Sequence, residues 1–127
     1  MARFIGSNRK EGNWGEDYFV EKLIEYCDDS YIIYRNRQVF GAQFDVCLLC
    51  PNFGIIIFEV KGWRPETIKR VIAGDTIVIK SVDENTGKES EAEENPIKQG
   101  RGYTFKMISR IRERTGKNPL VYCMACL

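Results

Sequence analysis

The 127-residue chain contains no histidine. This absence excludes Ser-His-Asp triads, Cys-His nucleophile pairs and every general base that depends on an imidazole ring. It also excludes metal centres that are built on histidine ligands. Any catalysis must therefore use carboxylates, Lys, Tyr, Cys or a metal ion that oxygen ligands hold.

An excess of one charge is also lacking, because 19 Lys and Arg residues stand against 18 Asp and Glu residues. The formal net charge is only +1, so the overall charge argues neither for nor against a nucleic-acid partner. Electrostatic attraction of a charged partner must instead come from local patches.

Long apolar segments are absent as well, since the longest apolar run extends only from Gly54 to Phe58. A membrane-spanning helix needs about 20 apolar residues, and the first residues do not have the pattern of a signal peptide. Five cysteines are an odd number, which without a secretion signal favours reduced thiols. These features predict a cytoplasmic protein.

The remaining composition is that of one globular domain, with 43% hydrophobic and 29% charged residues. A chain of this length can bury a single core, so we expect residues 1–127 to form one domain. The last residues are apolar and lack a polar tail, and we therefore expect this domain to be a piece of a longer protein.

Two helices are predicted from their capping residues. Asn13 is a good N-cap with Glu16 at capping-box spacing, and the helix that follows extends to about Cys27. Asn95-Pro96 begins a second helix that extends to about Arg114. Its apolar side is predicted to carry four residues: Ile97, Thr104, Ile108 and Ile111.

Apolar runs between turn residues predict the strands, and Asp83 to Glu94 is polar enough to predict a solvated loop. The central strands are Phe44–Cys50 and Gly54–Lys61, joined as a hairpin by the turn residues between them. The other strands are Tyr31–Tyr34, Leu120–Cys126 and a second hairpin of Thr67–Ile72 and Thr76–Ser81 around Ala73-Gly74-Asp75. This order predicts an α/β sandwich with a mixed central sheet.

Charged residues lie on a strand face that should be buried. Glu59 and Lys61 share that face with Ile55 and Ile57, because alternate residues of a strand point to the same side. Burial of an unpaired charge costs several kcal/mol, so this placement is unusual. Either the strand emerges into solvent, or the two residues form a structural ion pair, or they belong to a functional site.

Two further carboxylates join the candidate site. If the hairpin register matches, Asp45 lies beside Glu59, and a divalent cation with oxygen ligands would relieve their repulsion. The alternative for Asp45 is a residue that caps the loop before its strand. Glu16 faces the sheet with the apolar side of the first helix, either as a capping residue or as part of the site.

The second helix carries a polar and basic stripe. Gln99 and Tyr103 are one turn apart, and Lys106 and Arg110 continue the same side. The stripe is either a solvated helix face or a surface for a phosphate backbone. Basic residues are frequent from position 98 to 117: Lys98, Arg101, Lys106, Arg110, Arg112, Arg114 and Lys117.

Two Cys-x-x-Cys pairs, Cys47–Cys50 and Cys123–Cys126, are the spacing usually found in zinc sites. Here both pairs lie within apolar strands, where residues i and i+3 face opposite sides of the sheet. Buried structural thiols are therefore favoured over a zinc or iron–sulfur site.

These residues follow the order of motifs in the PD-(D/E)XK nuclease superfamily, and Gln99 to Tyr103 resembles the motif of its RecB-like branch. More closely, the chain resembles a NERD (nuclease-related) domain over roughly residues 10–125. The matching stretches are Gly12-Asn13-Trp14-Gly15-Glu16, Gln43-Phe44-Asp45, Gly54 through Glu59-Val60-Lys61-Gly62-Trp63, and Asn95-Pro96-x-x-Gln99. It departs from the superfamily pattern at Phe44, where a proline often precedes the aspartate.

The resemblance implies a restriction-endonuclease-like three-layer sandwich and metal-dependent hydrolysis of phosphodiester bonds in DNA, with RNA as an open alternative. It implies that Asp45, Glu59 and the Val60 carbonyl hold Mg²⁺ or Mn²⁺, with Glu16 contributing directly or through water. Lys61 would assist the attacking water, while Gln99 and Tyr103 would position the strand. Arg101, Lys106 and Arg110 would contact its backbone, and a helicase, kinase or other DNA-processing domain would be fused to the chain or work with it.

A second function remains open, namely a nucleic-acid-binding module that has the same fold and has lost catalysis. The loss of one or more of the motif residues would indicate such a module, and the sequence retains all of them: Glu16, Asp45, Glu59, Lys61, Gln99 and Tyr103. Trp63 is interpreted first as a core or edge aromatic and second as a residue that stacks on a base.

Overall fold

The computed structural model describes residues 1–6, 13–36, 38–39, 42–63, 65–72, 76–83 and 85–126. The motif residue Gly12 and the predicted turn Ala73-Gly74-Asp75 lie outside the described residues. The elements are β1 (Arg3–Ile5), α1 (Trp14–Tyr26), β2 (Ile32–Arg35), β3 (Gln38–Val39), β4 (Ala42–Gln43), β5 (Val46–Cys50), β6 (Gly54–Val60), a 3-10 turn (Pro65–Thr67), β7 (Ile68–Ile72), β8 (Thr76–Val82), β9 (Glu89–Glu94), α2 (Pro96–Thr115) and β10 (Val121–Cys126).

The main sheet has five strands in the order β1-β2-β5-β6-β10. The pairs β2–β5 and β5–β6 are antiparallel, whereas β1–β2 and β6–β10 are parallel. This arrangement confirms the predicted α/β class with a mixed central sheet and a central β5–β6 hairpin. A parallel neighbour requires a crossover, and the segment from β7 to α2 supplies it between β6 and β10.

Each helix covers one face of this sheet. Val20 and Ile24 of α1 belong to the apolar cluster that contains Val46, Leu48 and Phe58. Met107 of α2 belongs to a second cluster with Cys47 and Ile57. Alternate residues of β5 and β6 point to opposite faces of the sheet, so the two clusters lie on opposite sides of it. The resulting three layers match a restriction-endonuclease-like sandwich.

Both helices begin at the predicted capping residues. The Asn13 side chain accepts a hydrogen bond from the backbone of Glu16 at 3.2 Å, and the Asn95 side chain accepts one from Lys98 at 2.9 Å. At the other end of α2, Gly116 has a left-handed backbone with φ of 72°. Such a conformation ends a helix at little steric cost when the residue is glycine. The predicted helix boundaries are confirmed to within one residue.

The predicted solvated loop from Asp83 to Glu94 is wrong in its second half, because Glu89–Glu94 forms β9 beside β8. Acidic side chains of β9 pair with cations of the same sheet, Glu89 with Lys80 of the adjacent β8 and Glu91 with Arg70 of β7, the strand beyond it. Its high charge therefore suits an exposed edge strand, in which cross-strand ion pairs replace apolar packing.

The predicted apolar side of α2 is rotated in part from the observed one. Ile111 packs against the cluster that contains Met107, as predicted, but Ile97, Thr104 and Ile108 are only half-buried, whereas Gly100 and Met107 are buried. A Cβ atom added at Gly100 would lie 1.8 Å from the sulfur of Cys123. The helix therefore lies closest to β10 at a glycine, a residue that carries no hydrophobic signal in the sequence.

None of the helices in the described part of the chain is long and apolar enough to cross a membrane.

Candidate active site

Asp45 and Glu59 lie side by side where β5 begins and β6 ends. The register pairs Val46 with Phe58, so the residue before β5 is the neighbour of Glu59. Asp45 Oδ2 accepts a hydrogen bond from the backbone N–H of Val60 at 3.0 Å. The backbone of β6 thus holds the Asp45 carboxylate in place beside Glu59.

Glu59 is a buried carboxylate with an incomplete set of partners. The residue is 6% exposed, and among the described residues no group donates a hydrogen bond to its buried Oε2 atom. Burial, together with repulsion from Asp45, raises the pKa of Glu59 to about 7, against the opposing effect of Lys61. The environment of Glu59 therefore favours either the protonated form of its carboxyl group or the binding of a cation beside it.

Lys61 places its ammonium group between two carboxylates. Its Nζ atom lies 3.5 Å from Glu59 Oε1 and 3.3 Å from Glu94 Oε2. The Lys61 backbone N–H also donates to the Cys126 carbonyl at 2.9 Å, which ties the end of β6 to β10. The expectation that this strand might simply emerge into solvent is wrong, because Glu59 is buried and paired with Lys61.

Glu16 is buried, as its position on α1 predicts, and its carboxylate is bound by a cation from the sheet. Arg35 Nε lies 3.1 Å from Glu16 Oε1, and the same guanidinium forms an ion pair with Asp17. Burial is the main reason that the pKa of Glu16 is raised, and the charge of Asp45 raises it further. Glu16 is therefore near enough to Asp45 for their charges to interact.

Tyr103 of α2 reaches the same cluster from above the sheet. Tyr103 packs against the cluster that contains Phe44 and Met107, and its pKa is raised by burial and by the charges of Glu59 and Asp45. The phenol group thus lies within electrostatic reach of both carboxylates.

The other predicted site residues of α2 are exposed. Gln99 lines an open cleft together with Glu94, the second carboxylate partner of Lys61. Lys106 and Arg110 line a shallow groove about one and two turns beyond Tyr103. Arg101 is exposed near β10, where its charge opposes the effect of burial that raises the pKa of Cys123.

The cysteine pairs divide between the two faces of the sheet, as strand geometry predicts. Cys47 is buried in the cluster beneath α2, whereas Cys50 packs against the cluster beneath α1. Burial raises the pKa of Cys47 to about 12, so it remains a neutral thiol. The five thiols of the described residues are free.

The donor set at Asp45 and Glu59 fits a hard divalent cation. Mg²⁺ takes one or two carboxylates and completes its coordination with water or substrate phosphate. Within the described ranges, no three Cys, Asp or Glu residues are grouped closely enough to form a complete protein cage. An open site with two carboxylates, and with one of their oxygens lacking a donor, is compatible with that mode of binding.

Two residues of this cluster escape the sequence-based interpretation. Arg35 lies two positions after the fully buried Ile33, so strand alternation places it on the buried face and could have identified it. Glu94 falls in the segment predicted as a solvated loop. Only the β8–β9 pairing, which no local pattern indicates, brings Glu94 beside Lys61.

Comparison with families of known proteins gives one result that covers nearly the whole chain. The sequence model of the NERD family, described as a nuclease-related domain, matches residues 11–127. Searches of curated proteins and of solved structures found no match. The chain therefore belongs to the nuclease-related domain family.

Proposed function

We propose that this chain is a metal-dependent nuclease domain that hydrolyses phosphodiester bonds in DNA. The observation that carries the proposal is the buried Glu59, which lies beside Asp45 and has a carboxylate oxygen without a donor among the described residues. Membership of the nuclease-related family also supports a nuclease function. A fold alone does not establish activity, so the proposal depends on this group of side chains.

The metal would be Mg²⁺ or Mn²⁺, held by Asp45, Glu59 and the Val60 carbonyl, with Glu16 contributing directly or through water. When bound, such an ion polarises a phosphate oxygen and lowers the pKa of a water molecule. Asp45 is held by the Val60 N–H, so its carboxylate is already oriented. Arg35 anchors Glu16 on the other side of the cluster.

Lys61 would stabilise the negative charge that develops on the phosphate and would orient the attacking water. A fixed cation in a partly dehydrated site is effective because it needs little reorganisation when charge develops. The ion pair with Glu94 and the backbone bond to Cys126 restrict where the Lys61 side chain can go.

The exposed side of α2 would contact the DNA strand. Gln99 and Tyr103 lie at the carboxylate end of this side and would position the scissile phosphate. Arg101, Lys106 and Arg110 would contact phosphates, which contributes affinity without a choice of sequence.

Cleavage of single- and double-stranded DNA in Mg²⁺, Mn²⁺ or EDTA tests the proposal. We expect cleavage that needs the metal and that falls at least about 100-fold in Glu59→Gln and in Lys61→Met. The exposed residues Glu66 and Lys69 supply matched controls, because Glu66→Gln and Lys69→Met make the same chemical changes away from the site.

Binding measurements separate this proposal from its alternative. A binding module without catalysis would bind DNA and leave it intact in every metal, and that result would overturn the proposed hydrolysis. Cleavage that persists in EDTA or in Glu59→Gln would overturn the proposed metal site. An RNA oligomer in the same assay decides between the two nucleic acids.

A further inference from the structure

A groove beside the candidate active site is lined by aromatic rings. Trp14, Tyr18 and Trp63 contribute rings to its walls, and Lys22, Val60 and Gly62 are among the other residues that line it. Its volume of about 280 Å³ is close to the lower end of the range for small-ligand pockets, roughly 300 Å³. We call this cavity the aromatic groove. It is large enough for a planar ring system and too small for a folded partner.

The rings are exposed and already parallel. Trp14 is 73% exposed and Tyr18 is 57% exposed, although both are large apolar side chains. Their ring centroids lie 6.0 Å apart with an angle of 15° between the planes. Neighbouring exposed rings often mark a site of interaction, because burial of their apolar area against a partner is favourable.

A positive charge accompanies these rings. Lys22 Nζ lies 5.5 Å from the centre of the Tyr18 ring, and it also pairs with Glu25 at 3.2 Å. Lys61 Nζ lies 5.9 Å from the centre of the Trp63 ring. Aromatic faces beside cations are the combination that binds unpaired bases together with their phosphates.

Two glycines determine the shape of the groove where α1 meets the end of β6. A Cβ atom added at Gly15 would lie 2.6 Å from the Gly62 Cα atom, so the two backbones are in direct contact. Gly62 also has a φ of 61°, a backbone conformation that residues with a side chain rarely adopt. This contact fixes Trp14 and Trp63, the neighbours of the two glycines, on the same groove.

The groove and the candidate active site meet at the end of β6, where Val60 faces the groove and Glu59 faces the opposite side of the sheet. Val60 lines the groove and also donates its N–H to Asp45. Lys61 contacts Glu59 at 3.5 Å while its ammonium group lies over Trp63. A second exposed stacked pair, Phe53 and Tyr122, lies at the opposite end of β6. Seven strand residues separate the two ends by about 20 Å, so of these two stacked pairs in the described residues it is Trp14 and Tyr18 that lie on the side of the carboxylates.

We propose that the aromatic groove binds an unpaired nucleobase next to the phosphodiester held at the carboxylates, so that the substrate is a single-stranded segment. This inference rests on the proposed nuclease function and adds a substrate class to it. Paired bases are stacked within a duplex and do not present their faces to side chains. The groove would therefore select single strands, frayed ends or flaps over continuous duplex.

The fluorescence of the two tryptophans reports on the groove directly. The chain contains only Trp14 and Trp63, and both line this cavity. We would titrate the Glu59→Gln protein, in EDTA, with a thymidine decamer and with an abasic decamer of the same length. In parallel, the fluorescence anisotropy of labelled oligomers measures their binding. A uridine decamer tests whether single-stranded RNA binds in the same way as single-stranded DNA.

We expect the thymidine decamer to quench the fluorescence and the abasic decamer to leave it unchanged. Base–aromatic stacking corresponds to roughly 5- to 150-fold in affinity for each base. Tyr18→Ala should therefore weaken thymidine binding by such a factor and leave abasic binding unchanged. Phe53→Ala is the matched control, because it removes an exposed stacked ring at the far end of β6.

Equal quenching by both decamers would overturn the proposed base site, as would binding by anisotropy without quenching. An absence of any binding would overturn it as well. Cleavage by the unaltered protein is recorded separately, so cleavage without quenching refutes the groove alone. Quenching without cleavage refutes the proposed hydrolysis and leaves the groove as a binding site.

Discussion

Val60 and Asp45 are joined by a hydrogen bond from the Val60 N–H to Asp45 Oδ2 at 3.0 Å. This bond continues the β5–β6 ladder beyond its last residue pair, Val46 with Phe58, by means of a side chain. The residue that holds the end of the hairpin together is thus also a candidate metal ligand. Different substitutions of Asp45 can therefore separate its role as a hydrogen-bond acceptor from its role as a metal ligand.

Asp45→Asn should retain the stability of the fold and lose metal-dependent cleavage. The amide oxygen of asparagine can still accept from Val60, whereas its neutral side chain is a poor ligand for Mg²⁺. Asp45→Ala should lower the free energy of unfolding by about 1–3 kcal/mol, because it leaves the Val60 N–H without its acceptor. Urea denaturation and a cleavage assay measure the two effects. Equal destabilisation by both substitutions would show that the hydrogen bond is unimportant.

The stability of the metal-free protein should depend on the ionisation of Glu59. Its pKa is about 7 in the folded chain and 4.5 is its ordinary value, so the folded state binds more protons between these two values. The contribution of this group to the free energy of unfolding therefore falls as the pH rises from about 4.5 to about 7.

Glu59→Gln should remove this dependence and stabilise the protein at pH 8, by about 1–3 kcal/mol, in EDTA. Urea denaturation across this pH range, compared with Glu66→Gln, measures the difference. Parallel stability curves for the unaltered protein and Glu59→Gln would contradict the raised pKa.

Replacement of Arg35 should destabilise the fold strongly. Its guanidinium is buried and bridges Glu16 and Asp17, so Arg35→Leu would leave both carboxylates without their cation. Breaking a buried ion pair from one side costs about 3–5 kcal/mol. Removing one of the two acids in Glu16→Gln should cost less, because Asp17 still pairs with the arginine. Thermal unfolding of both variants tests this order, and a smaller loss in Arg35→Leu would reverse it.

Local patterns in the sequence predict the capped helices and the β5–β6 hairpin because each depends on neighbouring residues. Asn13 and Asn95 begin the two helices as expected, and the hairpin register brings Asp45 beside Glu59. Strand alternation also placed charges on a face that proves to be buried. These features follow from chemistry within a few residues of each site.

Features that depend on distant pairing were missed. Glu94 contacts Lys61 only because β9 pairs with β8, and an acidic stretch has little intrinsic tendency to form a strand. The predicted strand Tyr31–Tyr34 ends before Arg35, whose partners Glu16 and Asp17 come from α1 rather than from neighbouring positions. The position of α2 depends on close contact at Gly100, which no measure of hydrophobicity detects.

That contact gives a test with an internal control on the same helix. A Cβ atom at Gly100 would meet the Cys123 sulfur at 1.8 Å, whereas one at Gly102 would have no atom within 4 Å. Gly102→Ala should stabilise the protein by about 1 kcal/mol, because alanine favours a helix more than glycine does. Gly100→Ala makes the same change and should instead destabilise the protein by about 1–3 kcal/mol, since the Cys123 side chain or α2 must shift to make room. A shift of α2 would carry Tyr103 away from Glu59 and Asp45, and cleavage would then fall in Gly100→Ala and not in Gly102→Ala. Equal stability of the two variants would show that the helix does not depend on the close contact at Gly100.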